Sequence, residues 1–169
     1  MNASSWELLS SDGRESARWI VLERDALAPE PAFLCDVILA GHYFSAPLAA
    51  GSGSEASRDF TLELRRLAVP TRTLDRLVTA LQAWLDQPAR ELDASRLALD
   101  CELGGLFDQR LRLVLGERAD TLSSGHPVAT LSYTVGRLRG ELSFVTDPAC
   151  LAAFCEAIGD AIRSDRESV

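Results

Sequence analysis

The chain of 169 residues predicts an α+β domain: an antiparallel β-sheet of about six to seven strands with two helices packed on it. Three observations predict it. Two segments in the second half alternate apolar and polar residues about central glycines, as hairpins do. Two others repeat leucines, isoleucines or aromatics at helical spacing. The composition, 47% hydrophobic and 25% charged, is that of a globular chain long enough to bury its own core.

Residues 1–16 read as an irregular N-terminal segment with a turn at Ser10-Ser11-Asp12-Gly13, residues 17–164 as one α+β domain, and residues 165–169 as a polar tail. Arg18 to Glu23 is a short first strand. Pro29 and Pro31 then precede an apolar run, Phe33 to Ala40, whose continuity suggests a strand buried on both faces. The small residues of 46–58 form a loop. Its Gly51-x-Gly53-x-x-Ala56 matches a dinucleotide fingerprint in form, but that motif must open a helix. A strand follows instead, with Phe60, Leu62 and Leu64 alternating against Thr61, Glu63 and Arg65.

The first helix begins after Pro70. Leu74, Leu77, Val78, Leu81 and Leu85 make its apolar stripe, with Trp84 sealing the edge. Thr71 or Thr73 is placed to cap it, Asp75 suits its first turn, and Pro88 stops it. In the hairpin that follows, a three-residue loop at Gly104-Gly105-Leu106 pairs Leu103 with Phe107, Leu99 with Leu111 and Leu97 with Leu113. A two-residue turn at the glycines would set Cys101 against Asp108 and mix the faces. The second hairpin turns at Gly136-Arg137, pairing Val135 with Leu138 and Leu131 with Leu142, and sets the Tyr133 ring over Gly140. Thr146 or Asp147 caps a closing helix that has Pro148 at its start and a stripe of Leu151, Phe154, Cys155, Ile158 and Ile162. From Arg163 onward the chain is polar and frayed. The two stripes share a spacing that any surface helix shares, so they carry little weight as a sign of duplication.

Charge and residue inventory exclude several functions. Acidic residues number 25 against 17 basic ones, a net charge of −8, which repels nucleic acid and anionic lipid and attracts basic proteins. Every basic side chain is Arg. Without Lys there is no P-loop, no kinase strand lysine and no Schiff base. Cys35, Cys101, Cys150 and Cys155 show no Cys-x-x-Cys, and His42 and His126 lie in unrelated segments, so no zinc spacing and no cofactor are expected. The thiols read as buried and inert in a reducing compartment. Met1 to Glu7 carries neither the basic start nor the apolar run of a signal peptide, and no stretch is long enough to span a membrane, so a cytoplasmic place is expected.

No Gly-x-Ser-x-Gly elbow accompanies either histidine. His126 precedes Pro127 in an exposed turn, and His42 ends the long apolar strand, so neither is expected to act as a base. The expected contact residues are acidic. In the derived register Glu102 and Asp108 face each other near the hairpin turn, while Asp100, one step further, faces Arg110, which offsets its charge. Like charges so opposed cost up to about 1 kcal/mol, which a basic partner would offset.

The layout resembles the WapI-like family of bacterial toxin immunity proteins. The resemblance runs from Trp19 to Leu115: an apolar strand ending in Tyr43 and Phe44, a helix ending Leu81-Gln-Ala-Trp84-Leu85, then a strand pair with Arg110-Leu-Arg112-Leu113. A C-terminal helix follows. The family's acidic-Pro-Asn stretch is replaced by Glu91-Leu92-Asp93-Ala94, and no functional residue carries over. The resemblance implies a non-enzymatic protein that neutralises a cognate toxin by direct binding. The rival readings are a chaperone or adaptor for a secreted effector, and an enzyme built on His42 or His126.

Overall fold

Alternating apolar and polar side chains, carried through eight segments, build one antiparallel sheet in which every strand lies beside its neighbours in sequence. The computed structural model describes residues 4–25, 29–45, 56–88, 92, 96–116 and 126–167. The strands are β1 (Ser5–Leu9), β2 (Ser16–Asp25), β3 (Ala32–Ser45), β4 (Ala56–Pro70), β5 (Leu99–Leu106), β6 (Gln109–Gly116), β7 (Val128–Val135) and β8 (Leu138–Val145). Helix α1 (Thr71–Leu85) follows β4, and α2 (Pro148–Glu167) follows β8. The α+β architecture is the predicted one, with eight strands where about six to seven were expected.

The added strand is β1, in the segment expected to be irregular. Trp6 and Leu8 point inward and are buried, and Trp6 stacks on Trp19 of β2 with ring centroids 6.5 Å apart. Two inward positions are too few to show a period in sequence. The expected turn does follow, with Gly13 in the left-handed region at φ 73°. The run from Phe33 to Ala40 is buried on one face only: Phe33, Cys35, Val37 and Leu39 enter the core while Leu34, Asp36 and Ile38 are half-exposed. A bulge between β3 and β4 puts Arg66 at φ 53°, and its N–H donates to the Asp36 carboxylate at 2.9 Å. Gly51 and Gly53 lie outside the described residues.

The α2 stripe is buried throughout; in α1 Leu74, Leu77 and Leu81 are buried together with Trp84, and Val78 and Leu85 are half-buried at the edge of the core. The starts of the two helices differ. Asp147 caps α2, accepting the Cys150 N–H at 2.8 Å, and this bond draws its carboxyl below the usual carboxylate range. Helix α1 starts from Pro70 with no side-chain cap. The expected cap, Thr71, instead sends its N–H and its hydroxyl to the Pro31 carbonyl, at 2.9 and 3.1 Å. The end of α2 is not frayed. It runs to Glu167, through the segment expected to be a polar tail, because Asp165 pairs with Arg24 at 3.3 Å and Arg166 with Asp75 at 3.2 Å. No helix among the described residues is long and apolar enough to cross a membrane.

The β7–β8 hairpin has the derived register at every pair from Val135↔Leu138 to Ala129↔Phe144, and the Tyr133 ring covers Gly140. The β5–β6 hairpin does not. Its turn is Phe107-Asp108, beyond the glycines, and it pairs Leu99 with Leu115, Cys101 with Leu113 and Glu102 with Arg112. A bulge between Glu102 and Gly105 absorbs the odd residue of the two-residue turn, so Leu103, Leu111 and Leu113 still share the buried face. Gly104 sits in this bulge at φ 146°, where a Cβ would lie 2.9 Å from Leu67.

Strand order and helix placement repeat: four strands and a helix, then four strands and a helix. The backbone ladders of the two halves meet at two narrow junctions. At the first, β4 pairs with β5 only at Ala68↔Gly105. At the second, the Ser11 N–H, just past β1, donates to the Val145 carbonyl at the end of β8 at 2.8 Å. The helices cross over: α1 lies against β5, α2 lies against β1, and the two pack together on the apolar face.

Candidate functional site

The first junction leaves a groove on the surface. Strand β4 gives way to α1 at the point where it has just met the end of β5, so the ends of two strands and the start of a helix leave a gap. The groove holds about 480 Å³ over Ala68, Pro70, Thr73, Gly104, Gly105 and Phe107, with Glu102 and Arg110 on its wall. A second depression of about 270 Å³ shares Thr73 and Glu102 and extends past Arg76 to Asp100 and Cys101. Bare glycine backbone and small side chains make the floor, and charged side chains make the sides.

Two of the three acidic residues singled out in sequence are here. Asp100 and Glu102 line the depressions; Asp108 does not line either and sits exposed in the turn. The expected opposition of Glu102 and Asp108 is absent, because the true register moves Arg112 opposite Glu102. Each acid instead meets an arginine of β6 on the diagonal: Glu102 with Arg110 at 2.8 Å, and Asp100 with Arg112 through Nε at 2.6 Å and through a second guanidinium nitrogen. The Arg112 hydrogen bonds and charge hold the Asp100 carboxyl below its ordinary value and raise that of Arg112. The outer face of this hairpin is therefore charge-balanced rather than an uncompensated acidic tip.

Sequence reasoning missed Phe107. It stands at the rim with 92% of its surface exposed and its backbone left-handed at φ 53°. The alternation assigned it an inward place opposite Leu103, and only the position of the turn reverses that. Leu138, 57% exposed, opens β8 directly after the neighbouring turn. The two turns are tied together by the Gly136 N–H donating to the Asp108 carbonyl at 3.1 Å.

His126 is exposed as expected and lies near Asp147, whose carboxylate its charge favours as a minor cause. His42 lies in β3 opposite Asp59, with its side chain outside the described residues. Neither histidine lines the two depressions. All four cysteines are free, and burial raises every thiol, Cys35 and Cys101 to about 12. Among the described residues no three His, Cys, Asp or Glu side chains gather as a metal site. No family model, curated protein or solved structure matches the chain.

Proposed function

We propose that the protein works by binding another protein, as an immunity or inhibitor protein that neutralises a cognate basic toxin of bacteria, and that it docks this partner on the groove beside Phe107. The observation that carries the reading is Phe107 itself. A left-handed backbone costs a bulky residue on the order of 1–2 kcal/mol, and a side chain 92% exposed returns nothing to the fold. Both costs are offset when a partner buries the ring, which is how interface aromatics act. Balanced charges on the groove wall orient such a contact, while the net charge of −8 favours encounter with a basic protein.

The test is Phe107→Asp. Asp tolerates the left-handed region better than Phe, so the fold is expected to keep its stability. A photo-crosslinking residue at position 107, introduced in the native host, should capture a basic protein. The purified pair should then lose about 2 kcal/mol or more, at least roughly 30-fold in Kd, on Phe107→Asp. Raised salt should slow association. Unchanged affinity of the captured protein for Phe107→Asp would overturn the reading.

A further inference from the structure

The two junctions are the same structure used twice, and among the described residues only one is filled. Leu74, Leu77, Val78, Leu81 and Leu85 of α1 precede Leu151, Phe154, Cys155, Ile158 and Ile162 of α2 by one constant interval. At that interval Val78 corresponds to Cys155, and these two touch: the Cys155 thiol lies 3.7 Å from the Val78 carbonyl. A residue that meets its own counterpart marks an internal two-fold axis. The same interval carries Ala68 onto Val145, and these are the residues that join the halves at the two junctions. Pro70 falls on Asp147 and Thr73 on Cys150.

At the second junction the Ser10–Gly13 turn folds back over the start of α2. Ser10 is 3% exposed, its carbonyl lies 3.8 Å from the Cys150 thiol, and Asp147 caps the Cys150 N–H. Thr146 is fully buried with its hydroxyl on the Leu9 carbonyl at 2.8 Å. At the first junction the tight Phe107-Asp108 turn folds over nothing. Pro70 offers no cap to the Thr73 N–H, the Thr73 hydroxyl makes no hydrogen bond among the described residues, and the groove stands in the place of a turn.

We infer that this groove receives a polar β-turn of the partner protein, which does for α1 what the Ser10–Gly13 turn and Asp147 do for α2. A carbonyl of that turn accepts the Thr73 hydroxyl, and a Ser, Thr, Asn or Asp side-chain oxygen accepts the Thr73 N–H. Bare Gly104 and Gly105 let its backbone approach, and Phe107 closes over its apolar side. Charge complementarity favours the same occupant. The uncapped start of α1 is the positive end of its dipole, Arg76 flanks it, and an oxygen acceptor is the complementary group. The inference rests on the docking reading above and adds what the partner must present.

The chain supplies its own probe, a synthetic peptide of residues 8–16 (LLSSDGRES), which is the turn that fills the second junction. Titrated into the labelled full chain, it should cause saturable amide shifts at Thr73, Gly104, Gly105 and Phe107. A scrambled peptide should not. Pro70→Asp builds the missing cap into a backbone already extended at φ −62° and ψ 131°, as a cap requires, and should weaken the peptide roughly fivefold. Should Pro70→Asp fail to fold, Thr73→Val removes the hydroxyl donor and should weaken it likewise. No shift at these amides, the same shift with the scrambled peptide, or full affinity in the folded variant would overturn the inference. Loss of the captured protein on Phe107→Asp without any response to the peptide would overturn this inference alone.

Discussion

A side chain's chemistry here follows from where the backbone leaves it. The four cysteines show this most plainly. Cys35 is fully buried between Phe33 and Val37, and desolvation, helped by the Asp36 charge, pushes its thiol to about 12. Cys101 reaches the same value from burial and the Asp100 charge. Cys150 and Cys155 are raised for the same first reason. The thiolate is the nucleophile, so at pH 8 the Cys35 and Cys101 thiols are reactive in roughly 1 of 10,000 molecules. A disulfide reagent at pH 8 should therefore react slowly with Cys35 and Cys101 in the native chain and rapidly with both in denaturant. Fast native modification of either one, located by peptide mapping, would contradict the burial described. The burial of Cys35 and Cys155 was legible in the sequence, since both sit in apolar patterns. Phe107 was not, because a residue's exposure at a turn depends on where the turn falls.

At the scale of elements, the two hairpins explain what alternation can and cannot fix. A one-residue slip moves every side chain to the wrong face, but a slip by an even number moves none. The β7–β8 hairpin was legible pair by pair because Gly136, at φ 59°, sits where the alternation also puts the turn. In β5–β6 the glycines mark a bulge, not a turn. Leu99 was assigned to Leu111 and meets Leu115, with the buried face unchanged. The derived register set Glu102 against Asp108, whereas Glu102 lies opposite Arg112. The helix ends make a separate prediction. Asp147→Ala should cost about 1 kcal/mol at pH 7, a typical cap. The Asp147 carboxyl is held below its ordinary value when folded, so its contribution is present above the unfolded carboxylate range and fades as pH falls through the folded value. Denaturant curves of the variant and the parent should thus converge in strong acid; a constant gap down to pH 2 would mean that the bond to Cys150 is not what stabilises α2.

For the whole molecule, the repeat of four strands and a helix was hidden in sequence because only the helix cores keep a constant interval. The strands are joined by turns of different length, six residues between β1 and β2 against two between β5 and β6. The junctions are narrow beside the ladders within each half, while one core and the crossed helices hold the halves together, so the ladder at the junctions should open before the ladders inside either half. Hydrogen exchange should show Ala68 and Gly105 less protected than Leu113 and Leu131, and Ser11 less protected than Trp19. Uniform protection across the first junction would make the sheet one cooperative unit.

The stacked pair Trp6 and Trp19, on paired strands of the first half, gives a loosening of that half a visible signature. Their rings lie 6.5 Å apart and 19° from parallel, with Phe154 of α2 5.7 Å from the Trp19 ring. Two indoles so placed share their electronic excitation, which should split their ultraviolet circular dichroism into a paired positive and negative band. When β1 peels from β2 or α2 lifts away, the bands should collapse, so the chain carries an optical gauge of its own integrity.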